Sequence, residues 1–497
     1  MGREEQITGE RLRKIDELKK QGINPYPYRF EKKENCSELQ EKYKKLKAEE
    51  KTKDKVRVAG RVMIKRDLGK ISFAKLQDFS GRIQIVLQDK ETPDKEFEFF
   101  KKYVDGGDFI GIDGIIMKSK TGELSVLAKK IEILSKSILP LPEKFHGLQD
   151  KEERYRKRYL DLIMNPEVKD VFLKREKILD SIREFLKKKN FVEVDTPYLQ
   201  TVYGGAEARP FKTHLNALDI DLFLAISPEL YLKRLIIGGF DKVFTIARNF
   251  RNEGIDRWHN PEFAMMEIYE AYADYNDMMK LTEDIYEYCA KKVNGTTKVT
   301  IKGQEIDFKV PWKRMTMAEA IRKFGEIDVK KMSEKDLKKI IEKDGIEAKG
   351  NSWGAYVCAL FEHFCEEKII QPTFIIDHPC ESTPLCKAHR DDSECKLIER
   401  FEAFCMGTEL CNAYSELNDP IKQKELLEEQ QQKLNSGNEE ANPYDKDFVE
   451  AMSYGMPPTG GVGIGIDRMI IFLTGQESIK DVILFPFMKP EVEEEGK

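Results

Sequence analysis

The sequence predicts an α+β protein, with a body built on an antiparallel sheet core flanked by helices and a small all-β barrel ahead of it. Three features point there. Residues 55 to about 135 hold five short β-forming runs: VRVAGRVMIKR, KISFAKLQDF, GRIQIVLQ, DFIGIDGIIMK and ELSVLAKKIEIL. Leu68-Gly69, Ser80-Gly81, Gly106-Gly107 and Thr121-Gly122 separate them. Residues 248–269 read as two strands joined by a polar loop. Past residue 150 strands do not alternate strictly with helices, so the sheet should be mixed or antiparallel rather than doubly wound.

Taken in order, residues 1–54 form a helical segment. A helix over 9–21 carries Leu12, Ile15 and Leu18 on one side and is stopped by Gly22 and NPYP; a second, highly charged helix spans 37–52. Residues 55–137 suggest a closed five-stranded barrel of the OB type, a common binder of single-stranded nucleic acid. Composition alone fits another small barrel or sandwich equally well. Residues 138–166, opening with ILPLPEKFHGL, read as a linker to a body over 167–497. There a long amphipathic helix (167–189) runs into FVEVDTPYL, a strand closed by Pro197. Hairpins follow at 243–272 and 397–417, then a glycine-rich strand entering a helix at 459–474. Residues 320–345 and 421–440 read as charged surface helices, and KMSEK (331–335) as a solvated helix start.

At 497 residues the chain is long enough for two or three domains. Charged residues make up 35% and no apolar run approaches the roughly 20 residues that span a bilayer, so a membrane partner is not expected. The charged N-terminus has no apolar signal core, and the nine cysteines include no CxxC pair; both fit a reducing cytoplasm. A net charge of −5 argues against nucleic-acid binding over the whole surface, leaving the Lys-rich 42–57 and RYRKRY (154–159) as local patches or solvated helix faces. His363, Cys365, His378, Cys380, Cys386, His389 and Cys395 cluster loosely, but with no zinc-site spacing; buried thiols and satisfied histidines explain them better.

Strand alternation places Phe263, Met265, Glu267 and Tyr269 on one face and Ala264, Met266 and Ile268 on the other, with Arg251 and Glu253 opposite on the partner strand. An aromatic ring, a carboxylate and a phenol in one row suit a face that stacks a ring, clamps an anion and chelates a cation. A nucleotide together with an amino acid would fit it.

Three segments now stand in order: ILDSIREFLKKKNFVEVDTP (178–197), the FRNE hairpin (250–269) and GGVGIGIDRMIIF (460–472). Together they resemble the three signatures of the class II aminoacyl-tRNA synthetases. With the barrel in front, the chain is similar to the subgroup of lysyl, aspartyl and asparaginyl enzymes. GGAEARPF (204–211), SPELYLKR (227–234), RNEGIDRWHNPEF (251–263) and CNAYSELNDP (411–420) resemble the lysyl-tRNA synthetase family's pocket segments. The stretch 378–390 and LFPFMKP (484–490) are similar to its eukaryotic cytoplasmic members.

The resemblance implies ligation of L-lysine to tRNA(Lys) through a lysyl-adenylate, with ATP and Mg²⁺, in a homodimer whose seam is the first signature. It implies Arg251, Glu253 and Arg468 as catalytic groups, with Arg251 clamping the α-phosphate and the substrate carboxylate. ATP would meet Arg251, Asn252, Glu253, His259, Asn260, Phe263, Glu409, Leu410, Gly465, Ile466, Asp467 and Arg468. Phe263 and Arg468 would stack on the two faces of adenine. Lysine would meet Gly205, Glu229, Arg251, Glu267, Tyr269, Asn412, Tyr414 and Glu416, with Glu416 and Tyr269 on the ε-ammonium; Glu402 and Glu409 would ligate the metal. Strand parity leaves Glu409 on the face opposite Asn412, Tyr414 and Glu416, unless a bulge intervenes or Glu409 lies at the turn. In the barrel, Phe73 and Gln84 would read the anticodon by stacking and hydrogen bonding; Phe73 as barrel core is the other reading. An aspartyl or asparaginyl pocket, a synthetase-like binding protein without catalysis, and lysylation of a protein acceptor remain open as alternatives.

Overall fold

The computed structural model describes residues 2–142, 148–394 and 396–491, so linker residues 143–147 and Cys395 lie outside the described residues. The chain forms two compact units, Met1–Gln149 and Asp150–Lys497.

In the first unit, helix α1 (Arg3–Lys20) buries Ile15 and Leu18 but leaves Leu12 exposed. The second helix, α2, covers only Cys36–Lys42 rather than 37–52. From Lys51 the lysine-rich run is already strand β1 (Lys51–Asp67), paired with β4 (Phe109–Lys118) through Val56↔Gly114 and Val58↔Ile112. Burial of Val56, Val58 and Val62 outweighs the helix propensity of the flanking Lys and Glu. Strands β2 (Ile71–Gln77), β3 (Arg82–Gln88) and β5 (Leu124–Ser135) complete a closed barrel in the order β1-β2-β3-β5-β4. Helix α3 (Asp94–Tyr103) and α1 add Phe97, Phe100 and Leu18 to its core.

The second unit opens with α4 (Lys151–Arg156) and α5 (Arg158–Met164), so the second half of the expected linker is helical. Helix α6 (Val168–Lys188) leads into β6, only Val192–Glu193 of the expected strand. Pro197 has no N–H to offer a ladder, and pairing stops short of it. A small sheet of β7 (Leu199–Gln200), β8 (Lys212–Leu215) and β9 (Ile220–Leu224) follows, then helix α7 (Glu229–Ile237). Strands β10 (Lys242–Phe250) and β11 (Glu262–Ala271) form the first hairpin, and α8 (Tyr275–Asn294) crosses behind it.

A two-stranded ribbon, β12 (Lys298–Ile301) and β13 (Gln304–Asp307), precedes β14 (Lys313–Thr316). The surface helix expected over 320–345 is two, α9 (Met317–Gly325) and α10 (Glu334–Asp344), the second capped by Ser333 of KMSEK. Each buries an apolar pair, Ala320 with Ile321 and Leu337 with Ile341, against α11 (Trp353–Phe364). Then come β15 (Thr373–Pro379), the second hairpin β16 (Leu397–Cys405) and β17 (Thr408–Ser415), and helices α12 (Pro420–Asn435) and α13 (Lys446–Ser453). The unit closes with β18 (Thr459–Gly465), α14 (Ile466–Thr474) and α15 (Ile479–Val482).

The central sheet runs β14-β15-β16-β17-β18-β11-β10-β6, parallel only at its two end pairs. Beneath it lies the core: Ile178, Ile182 and Leu186 of α6, Met278 and Tyr286 of α8, and Ile470 and Phe472 of α14. They pack on Ala264, Met266, Ile268, Val462 and Ile464. Burying that face leaves the alternate side chains of the same strands for the other face, where the cavity lies. Of the histidine–cysteine set, Cys365 and Cys386 are buried, and His378 hydrogen-bonds the Ile375 carbonyl at 3.1 Å.

Candidate active site

A cavity of about 390 Å³ sits on the upper face of the central sheet. Phe263, Met265, Glu267 and Tyr269 of β11 line it, as the alternation of that strand dictates. Arg251 and Glu253 also line it, but not from the partner strand. β10 ends at Phe250, opposite Glu262, and both residues lie in the loop beyond. The Arg251 N–H donates to the Pro261 carbonyl at 2.9 Å, pinning the loop at its start. This brings the Arg251 guanidinium 5.1 Å from the centre of the Phe263 ring.

The second hairpin resolves the parity of Glu409. Ala403 pairs with Cys411 but Phe404 pairs with Glu409, so Leu410 is an extra, unpaired residue. This bulge turns Glu409 onto the face of Asn412 and Tyr414. Glu402, opposite Asn412 on β16, joins them.

Acidic groups make up the cavity floor. Glu229 and Glu267 line it almost fully buried, and Glu416, completely buried, lies just behind it. Tyr269 donates to Glu267 at 3.2 Å, and Tyr414 donates to Glu229 at 3.3 Å. Burial and the charge of Glu229 push the Glu267 carboxyl up to about 8. Burial also pushes Glu416 up, while a nearby ammonium opposes it. That ammonium belongs to Lys233 of α7, itself wholly buried, 2.6 Å from Glu229 and 2.5 Å from Glu416. Desolvation alone would lower the Lys233 pKa; the two carboxylates overcome it and hold the amine charged. Glycines of β18 make room for the acids. A Cβ on Gly461 would lie 2.0 Å from Glu416 Oε1 and 2.5 Å from the Tyr269 ring, and one on Gly463 3.0 Å from Glu267 Oε1.

The rim is cationic. Arg468, on the first turn of α14, donates to the Glu409 carbonyl at 2.9 Å, to its carboxylate at 3.1 Å and to His259 Nε2 at 3.2 Å. An arginine can only donate, so His259 accepts through Nε2 and carries its proton on Nδ1, facing Asp256 at 2.7 Å. Burial lowers the Arg251 guanidinium, with Glu253 and Glu409 opposing. An acidic, enclosed floor below an arginine rim accepts a small polycation attached to an anion.

Residues 150–489 match the family model for class II tRNA synthetases (D, K and N), and residues 56–134 match that of the OB-fold nucleic acid binding domain. The chain belongs to the class II tRNA synthetases. A protein of Methanoculleus marisnigri named lysine–tRNA ligase is 50% identical over 485 residues, 97% of this chain and 95% of its own. Proteins of the same name from Clostridium novyi (50%; 97% and 94%) and Thermotoga maritima (48%; 98% and 96%) are similarly matched. This places the synthetase in the lysine–tRNA ligase family. These relatives are archaeal and bacterial, and the resemblance to eukaryotic cytoplasmic members draws no support from them.

Of the residues the sequence singled out, the synthetase gathers Gly205, Glu229, Arg251, Glu253, His259, Asn260, Phe263, Glu267, Tyr269, Glu402, Glu409, Leu410, Asn412, Tyr414, Gly465, Asp467 and Arg468 around the cavity. Three do not line it. Asn252 is exposed in the loop, its N–H donating to the Arg209 carbonyl. Ile466 is packed in the core, and Glu416 lies behind Gly461 against Lys233. Asp467 reaches the cavity wall, but its carboxylate joins Arg175 at 2.6 Å and the Ala264 N–H at 2.7 Å, tying α14 to α6 and β11. In the barrel, Phe73 and Gln84 fall on the same outer face. Phe73 packs part-exposed on Val86, Met117 and Leu127, and Gln84 donates to Ser125 at 3.0 Å.

Two residues of the site escaped the sequence reading. Lys233 stands four residues after Glu229 in an otherwise apolar helical turn, the i,i+4 signal of a pair. Arg400, one pleat before Glu402, donates to the Asn412 side chain (2.9 Å), the Ser382 carbonyl (3.0 Å) and Glu402 (2.5 Å). Its partners are dispersed in sequence, and no local pattern marks it.

Proposed function

We propose that the protein activates L-lysine with ATP and transfers it to tRNA(Lys), and that the charge balance of the cavity floor selects the amino acid. Glu229, Glu267 and Glu416 set three buried carboxyl groups against the single ammonium of Lys233, and burial raises Glu267 and Glu416 so that each ionises fully only when a further cation arrives. Lysine brings two ammonium groups, which would hold those carboxyls ionised, and one carboxylate, which suits Arg251. Aspartate would bring a further anion into a buried acidic floor, a placement desolvation strongly disfavours. That excess of buried acid is the observation that carries the reading.

Adenylate formation needs no enzyme nucleophile. The lysine carboxylate attacks the α-phosphorus, pyrophosphate leaves, and the 3′-terminal hydroxyl of the tRNA later attacks the carbonyl and releases AMP. The site contributes position and electrostatics. Arg251 holds the carboxylate and α-phosphate with a planar fork, which a lysine would not replace. Phe263 and Arg468 enclose the adenine, with the Arg251 guanidinium 5.1 Å from the centre of the Phe263 ring. Glu253, His259 and Asn260 place base and phosphates, and Asn412 meets the substrate carboxylate. Glu402 and Glu409 suit Mg²⁺, being hard oxygen donors on adjacent strands that both line the cavity, although each is paired with an arginine, Arg400 and Arg468. Bound there, Mg²⁺ would neutralise triphosphate charge.

Phe73 and Gln84 offer the barrel's stacking and hydrogen-bonding contact to the anticodon. Val192, Tyr198, Leu199, Ile220 and Phe240, exposed around the first signature, support a homodimer seam there. No helix among the described residues is long and apolar enough to cross a membrane. The nine cysteines and a tRNA substrate together favour the cytoplasm.

Pyrophosphate exchange into ATP, run amino acid by amino acid with Mg²⁺, tests the reading. Exchange with lysine alone supports it. Exchange with aspartate or asparagine overturns the pocket assignment, and no exchange in folded protein overturns the activity.

A further inference from the structure

Two acidic residues offered above to substrate ammonium groups, Glu229 and Glu416, already hold an ammonium. Lys233 reaches both, at 2.6 and 2.5 Å, from a helix whose own Glu229 is one turn away. Its amine is fully buried. Every element packed here contributes a charged or titratable group: Glu229 and, behind it, Lys233 from α7, Glu267 and Tyr269 from β11, Tyr414 from β17 with Glu416 just past its end, Arg400 from β16, and Arg251 from the loop after β10. Among the described residues Lys233 is the cation in salt-bridge contact with these acids, at 2.6 Å from Glu229 and 2.5 Å from Glu416.

A floor of three buried carboxylates and no internal cation would leave one negative charge uncompensated even with lysine bound. It would also let Glu229 and Glu416 repel one another, and it would admit a more highly charged ligand as well as lysine. With Lys233 present the count closes at two ammonium groups, the number that lysine carries. The amine also fixes geometry. It joins α7 to the residue that follows β17, and a Cβ on Gly461 would meet both the Glu416 carboxylate and the Tyr269 ring. Displacing Lys233 would release Glu416 from the position that Gly461 leaves open for it.

We propose that Lys233 is a positioning and specificity-determining residue: a permanent internal countercation that holds Glu229 and Glu416 in place and sets the floor to accept two substrate ammonium groups. It stays on both carboxylates when lysine binds rather than being displaced. This rests on the lysine reading of the site.

Two measurements test it. The first is the structure of the wild-type protein with L-lysine bound. Lys233 remaining within salt-bridge distance of both carboxylates supports the proposal; departure from either overturns it. The second is pyrophosphate exchange by Lys233→Met, close in length to lysine but uncharged. The lysine KM should rise at least tenfold while the ATP KM stays within twofold, a split that a merely structural role would not produce. Unchanged lysine KM, or an equal rise in both, overturns the proposal. Should Lys233→Met fail to fold, the lysine-bound wild-type structure decides. Absence of lysine-dependent exchange in the wild type would instead refute the lysine reading itself, so the two failures are distinct.

Discussion

Raising the pH from 6 to 8 should lower the lysine KM by about fiftyfold. Burial and the adjacent Glu229 hold the Glu267 carboxyl near 8, against an ordinary value of 4.5. Only the ionised form attracts a substrate ammonium, so below 8 a proton competes with lysine for the site. The apparent KM then scales as one plus the ratio of protonated to ionised Glu267, roughly a hundred at pH 6 and about two at pH 8. Lysine keeps its ε-ammonium throughout this range, as free amines of this kind titrate near 10.4. Pyrophosphate exchange at saturating ATP, with lysine varied at half-unit steps of pH, reads the effect. The ATP KM serves as the control, and Glu267→Gln should give a raised, pH-independent lysine KM. A lysine KM flat between pH 6 and 8 in the wild type would refute the reasoning. The same shift has a stability counterpart. A carboxyl whose folded pKa is raised contributes stability while protonated, fully below about 4.5, and loses it as pH climbs through 8. The ligand-free protein should therefore melt lower at pH 9 than at pH 6, and saturating lysine should narrow that gap.

Glu416→Gln should raise the lysine KM at least tenfold or abolish turnover, leaving ATP binding intact. Because it removes one of the two carboxylates of a fully buried lysine, it should also cost about 3 kcal/mol, seen as a lower midpoint in denaturant unfolding. Normal lysine kinetics would remove Glu416 from the pocket. Gly461→Ala places a methyl 2.0 Å from Glu416 Oε1, so lysine-dependent exchange should fall at least tenfold with nucleotide binding preserved, as equilibrium ATP titration would show. Phe73→Ala in the barrel should leave lysine-dependent exchange unchanged while raising the tRNA KM in aminoacylation about tenfold, the loss of one stacking contact of roughly 1–3 kcal/mol.

Much of this was local and therefore legible in the chain. The five barrel strands announce themselves through alternation and glycine turns, and β11 through the period-two row of Phe263, Glu267 and Tyr269, because a strand's faces depend only on parity. The three signature segments fixed the fold class for the same reason, each being a continuous run. Where the lysine-rich stretch turned into β1, propensity lost to pairing with β4, as in Val56 with Gly114, far along the chain. The end of β10 at Phe250 and the bulge at Leu410 likewise depend on a partner strand's register, so neither the loop position of Arg251 nor the orientation of Glu409 follows from its own segment. Charge compensation is more remote still. The sequence determined which strands carry acids and which residues repeat on one face. Only the tertiary structure could decide that Lys233 of α7 meets Glu416, just past β17 and nearly two hundred positions away, because a buried charge is satisfied by whatever the fold brings within about 3 Å of it.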